Sequence, residues 1–135
     1  MKRYLLLFVL FFTAVALCQS DREQAATSAA TNWLKLIDAG DYSASWDAAA
    51  PSLQDMVTRE RFVQSLQGVR TPLGRVLSRK VKSARYTTTL PGMPDGEYVV
   101  IQFETTFENK NSALETITPK LTQDGTWRVL GYYIR

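Results

Sequence analysis

The sequence predicts an α+β domain, with N-terminal helices packed on a curved antiparallel sheet of about four strands in a cone-like shape. Three observations carry that reading. Apolar residues between Ala26 and Pro51 recur at helical spacing. From Leu73 onward the period falls to two. The two regimes follow one another instead of alternating, which separates α+β from α/β.

Ala26, Ala29, Ala30, Trp33, Leu34 and Ile37 fall on one helical face, so they predict the first helix. Ser20-Asp21-Arg22-Glu23 has the form of a capping box and places its start there. Gly40 suits the left-handed position that closes it. Tyr42, Trp46, Ala49 and Ala50 repeat the helical spacing and predict a second short helix, ending at Pro51. Ser52 to Val57 reads as one more helical turn. Thr58 caps a further helix with Phe62, Leu66 and Val69 on one face, ending near Arg70 because Pro72 follows.

The sheet then begins. Arg75 to Leu90 is a long β segment, bent where its alternation fails. Pro91 to Gly96 is a double turn. Glu97 to Phe107 alternates most clearly, with Val99, Ile101, Phe103 and Phe107 expected against the helices and Tyr98, Val100, Gln102 and Glu104 outward. Ala113 to Leu121 returns, and Pro119 points to an edge or bulge. Asp124-Gly125 is a hairpin signal before the last strand, Thr126 to Ile134. If Leu130, Tyr132 and Ile134 form an outer apolar face, that face pairs with a second copy in a two-fold homodimer.

The chain has 135 residues, which bounds it to one domain, residues 20–135, behind a segment spanning residues 1–19. Met1-Lys2-Arg3 followed by the apolar run Leu5–Leu17 has the form of a secretory signal, with cleavage expected near residues 16–20. The run is too short for a stable anchor, so no transmembrane anchor is expected after processing. The alternative is a lipoprotein with Cys18 acylated, for which Leu17 is a poor preceding residue. Export, most simply to a Gram-negative periplasm, is the expected location. Without Lys2 and Arg3 the sixteen basic residues become fourteen against thirteen acids, a balance that does not favour nucleic acid. Cys18 is the only cysteine, and there is no histidine. Those two facts exclude internal disulfides, histidine-dependent triads and the usual zinc sites, and no metal or cofactor is expected.

The runs Trp33-Leu34-x-Leu36-Ile37-Asp38-x-Gly40-Asp41-Tyr42, Ser45-Trp46, Arg70-x-Pro72-Leu73-Gly74, Leu90-Pro91-Gly92-x-Pro94-Asp95-Gly96-Glu97-Tyr98-Val99, Glu115-Thr116 and Trp127-x-Val129-x-Gly131-Tyr132 resemble a bacterial exported family of unknown function, DUF4019. That resemblance implies kinship with the cone-shaped α+β superfamily named after nuclear transport factor two. The superfamily includes isomerases, dehydratases, ligand binders and interaction domains, so the fold leaves function open. It supplies no catalytic residues to carry over.

Candidate site residues come from the chain itself. Trp33, Tyr42, Trp46, Tyr98 and Trp127, with Tyr132, are aromatics that would line a cavity for an apolar ligand or plug the core between helices and sheet. Arg70, Arg75, Arg79, Lys80, Lys82 and Arg85 would form a strip for an anionic partner, or a solvated strand guarded against edge pairing. Among the carboxylates Asp38, Asp41, Asp47, Asp55, Asp95 and Glu97, Asp41 reads as a cap, Asp47 as the polar side of a helix and Asp95 as a turn former. Glu115 is the one least explained locally, because it shares its strand face with Ala113 and Ile117. Pro91 to Gly96 would gate a cavity mouth or simply turn the chain. The expectation is therefore an exported, non-enzymatic binding or interaction module for a small amphipathic molecule or a protein. The alternative is a histidine-free lyase or isomerase using a Tyr and a carboxylate in the cone cavity.

Overall fold

The structure, a computed structural model, describes residues 21–135. The expected signal segment and the cap at Ser20 lie outside them. The described residues form an α+β fold in which four helices precede a four-stranded antiparallel sheet of order β1-β2-β3-β4. Helix α1 runs through residues 21–38, α2 is Tyr42–Asp47, α3 is Pro51–Met56 and α4 is Arg59–Arg70. The strands are β1 Val76–Thr87, β2 Tyr98–Phe107, β3 Lys110–Leu121 and β4 Trp127–Ile134.

The predicted face of α1 is the buried one: Ala26, Ala30, Trp33, Leu34 and Ile37 are all inside. Gly40 ends the helix at φ 76°, with its N–H on the Ile37 carbonyl and the Asp41 N–H on the Leu36 carbonyl. That pair of bonds satisfies carbonyls the helix end leaves over and turns the chain sharply into α2. Asp41 caps α2 through the Ala44 N–H. The second helix stops at Asp47, short of the expected proline, and Pro51 instead opens α3, where its missing N–H costs nothing. The Ala50 N–H donates to the Val129 carbonyl at 2.8 Å and docks α3 on β4. Thr58 caps α4 as expected, accepting from the Arg61 N–H.

The core has two parts. In the first, Ala26, Ala30, Trp33, Leu34 and Ile37 from α1, with Leu66 from α4, pack on Val99, Ile101, Phe103, Ile117 and Val129 of the sheet's inner face. In the second, Ala49, Ala50 and Leu53 surround Tyr98 and Leu130, with Trp46, Leu90 and Met93 at its rim. This second cluster corrects the expected facing of two strands. Tyr98, expected outward, is fully buried, because α3 and the loop after β1 wrap the end of the sheet and its hydroxyl donates to the Pro94 carbonyl.

On β4 the register passes from Thr118↔Gly131 to Pro119↔Val129, leaving Leu130 as an extra residue in a bulge. Alternation breaks there, and Val129 and Leu130 both turn inward, one into each core cluster. Leu130, Tyr132 and Ile134 therefore do not form the outer apolar face on which the dimer expectation rested. Leu130 is buried against α3, and Tyr132 packs under α1.

Candidate functional site

A chain of polar side chains crosses the inner face of the sheet, with one member from each strand and from two helices. Asp38 comes from the last turn of α1, Arg70 from the end of α4, Arg79 from β1, Thr105 from β2, Glu115 from β3 and Tyr132 from β4. Register brings the strand members together. Arg79 lies opposite Thr105, and Glu115 sits one pair along from both Thr105 and Tyr132 on the same face.

Glu115 is completely buried and is the hub. One carboxylate oxygen accepts from Arg79 Nε at 2.7 Å and from the Thr105 hydroxyl. The other accepts from Arg79 Nη2 at 3.2 Å and from the Tyr132 hydroxyl. These bonds use the acceptor sites a carboxylate offers. Arg79 grips Asp38 with its far edge, Nη1 to Oδ2 at 2.7 Å and Nη2 to Oδ1 at 3.0 Å. A guanidinium held bidentately on both edges is oriented as well as neutralised. Arg70 adds a bond from Nη2 to Asp38 Oδ1 at 3.0 Å and lays its guanidinium 5.0 Å over the Phe107 ring. Its Nε and Nη1 are buried without a hydrogen-bond partner among the described residues.

Electrostatics follow from this geometry. Burial pushes the Asp38 carboxyl up, but hydrogen bonds and charge from Arg79 and Arg70 outweigh it and hold it below its ordinary value. Burial alone would lower the Arg79 guanidinium; Asp38 and Glu115 together raise it instead. Burial raises the Tyr132 phenol above its ordinary value, and the adjacent Glu115 charge and hydrogen bond raise it further. The Tyr132 ring also meets Trp33 edge to face at 5.5 Å, which links the polar chain to the aromatic core.

The six aromatics do not share one cavity. Trp33 is buried, with its Nε1 donating to the Ser45 carbonyl at 2.8 Å. Tyr42 and Trp127 pack at the rim of the first cluster, and Trp46 and Tyr98 belong to the second. Trp46 donates to the Val57 carbonyl at 3.0 Å and carries Arg59 over its ring. Trp33 and Trp127 meet in a cleft of about 270 Å³ between α1 and β4, with Ala29, Asn32, Leu36, Ala48 and Val129 around it.

The six basic residues do not share one surface either. Arg70 and Arg79 turn inward to Asp38 and Glu115. Arg75 pairs with Glu108 at 2.5 Å and Lys80 with Glu104 at 3.2 Å, while Lys82 and Arg85 stand exposed on β1. Strand alternation turns Arg79 inward and Lys80 outward, and the bulge at Lys82 shifts the alternation so that Arg85 also faces outward.

Reasoning from sequence singled out Glu115 but missed its partners. The signal was available: a carboxylate on an apolar strand face requires a cation on the same face, and Arg79 is the strand arginine that the fold brings beside it.

Among the described residues no helix is long and apolar enough to cross a membrane. The family model described as a protein of unknown function, DUF4019, matches residues 29–132. A comparison with curated proteins finds no match.

Proposed function

Because the chain belongs to the DUF4019 family, whose description assigns no activity, we propose its function from the site itself: a non-enzymatic binding or interaction module, exported to the periplasm. The observation that carries the reading is the state of the Tyr132–Glu115 pair. A general base needs a free lone pair facing a substrate, and a general acid needs a proton it can release near the working pH. Glu115 spends its acceptor sites on Arg79, Thr105 and Tyr132. The Tyr132 phenol is shifted upward, away from neutrality. The pair anchors a structural clamp in which Arg79 reaches Asp38 of α1 and Asp38 holds Arg70 of α4, and this leaves the surfaces to do the binding.

The helices laid across a bulged antiparallel sheet support kinship with the cone-shaped nuclear-transport-factor-two-like domains. Export is supported by the charged head and apolar run ahead of residue 21. The lyase or isomerase reading draws on the same Tyr132–Glu115 contact, which places a Tyr on a desolvated carboxylate.

Native mass spectrometry against a lipid-fragment library, with intact-mass analysis of protein recovered from the periplasm, tests both halves. The expected result is a chain that has lost Met1 to about Ala16 and retains bound ligands with unchanged mass. A ligand released with altered mass, in a reaction lost in Tyr132→Phe, would replace the module with the enzyme.

A further inference from the structure

Residues 21–135 carry fourteen basic and thirteen acidic side chains, a near balance that conceals an uneven distribution. The helical part, residues 21–70, carries seven acids and five bases, and residues 71–135 carry six acids and nine bases. The outer face of the sheet gathers bases. Register puts Lys80, Glu104, Leu114 and Arg135 on one rung of its open part; at the other end α3 and the loop after β1 cover Tyr98, and Lys120 and Arg128 line a separate groove beside Asp55 of α3. Arg85, opposite Val100, lies on the same face. Lys82, the extra residue of a bulge, lines a groove of about 690 Å³ there with Ser78, Lys80, Glu104 and Arg135. Glu104 answers Lys80 and Asp124 answers Arg128. Lys82, Arg85, Lys120 and Arg135 have no acidic partner among the described residues.

We propose that this outer sheet face docks on an anionic lipid bilayer, with the groove receiving a headgroup. The proposal rests on the binding-module reading and names its surface and target. Two features favour a bilayer over an acidic protein. The cations come from both edges of the sheet, Lys80, Lys82 and Arg85 on β1 and Arg135 just after β4, matching a broad field of charge and not a single carboxylate. Tyr133 stands half exposed on this face with the Arg135 guanidinium 5.6 Å over its ring, an amphipathic pair of the kind that settles at headgroup level.

Co-sedimentation of the chain with vesicles tests this, using phosphatidylglycerol–phosphatidylcholine mixtures against pure phosphatidylcholine. Binding from the apolar segment appears on both and subtracts out. The expected result is a preference for anionic vesicles that falls steeply at high salt. Lys82→Glu with Arg135→Glu should weaken it by about 25-fold or more, about fivefold for each cation removed. Lys35→Glu, on the opposite layer, should leave it unchanged, and circular dichroism should show all variants folded. Equal binding to both vesicle types, or equal loss in Lys35→Glu, would overturn the proposal. So would poly-glutamate binding as tightly as the anionic vesicles, which would point to an acidic protein partner. A protein indifferent to vesicles that still retains ligands in native mass spectrometry would remove the membrane surface and leave the module reading standing.

Discussion

Arg79 and Lys80 are neighbours on β1, and each pairs with a glutamate across the sheet, yet the two pairs do different work. Arg79 is largely buried and its partner Glu115 is wholly so; Lys80 and its partner Glu104 are both in solvent. One step along a strand changes the face, and the face sets the dielectric around the charge. On the inner face an ion pair must be complete, because a stranded charge has no water to fall back on. On the outer face the same chemistry is optional and screened. The inner pair therefore belongs to the fold, and the outer charges are free to serve recognition.

The largest expected effect breaks the inner pair. Arg79→Met keeps much of the side-chain bulk but leaves Glu115 buried without a counter-charge and takes two bonds from Asp38. It should destabilise the domain by about 3–5 kcal/mol. Urea denaturation reads this as a lowered midpoint with an unchanged slope. Adding Glu115→Gln removes the stranded charge, so the double variant should lose less than the sum of the singles, by about 1–3 kcal/mol. Additive losses would mean that the two residues stabilise the domain independently.

A middle-sized effect concerns Tyr132. Its hydroxyl donates to the buried Glu115, and Tyr132→Phe should cost about 1–3 kcal/mol by leaving that acceptor short of a donor. The phenol is shifted upward in the folded state. A raised folded-state pKa gives stability that is complete below the unfolded value, about 10, and lost as pH climbs above it. Wild type should therefore weaken from about pH 10 upward, and Tyr132→Phe should weaken less over the same range. Thermal midpoints across that range decide the matter, and parallel curves for the two proteins would show that Tyr132 does not carry the alkaline limb.

The same contrast explains what the sequence could reveal. The apolar face of α1, the turn at Gly40, the cap at Thr58 and the strand alternation of β2 are local patterns, and each has a local cause. Two inferences failed because their causes are long-range. Val129-Leu130 offers two apolar residues in succession, and only the β3 register shows that Leu130 is the bulge. Tyr98 alternates outward, but α3 and the loop after β1 close over that end of the sheet. The polar chain was half visible. Glu115 stood out among apolar neighbours, whereas Arg79 was masked by the basic residues flanking it in sequence, which point the other way.

The smallest expected effect sharpens the comparison from the outer side. Lys80 and Glu104 are 3.2 Å apart, with 77% and 47% of their side chains exposed. A double-mutant cycle on Lys80→Ala and Glu104→Ala should return a coupling of about 0–0.5 kcal/mol at low salt, fading toward nothing at 1 M salt. Against the inner cycle of Arg79 and Glu115, that is a difference of several-fold between side chains attached one residue apart. A coupling above about 1 kcal/mol for the outer pair would exceed the usual range for exposed ion pairs. The outer face would then count as structural, and its cations would no longer be free for a lipid headgroup. A coupling near zero leaves Lys80 available to an anion, because the intramolecular partner holds it too weakly to compete.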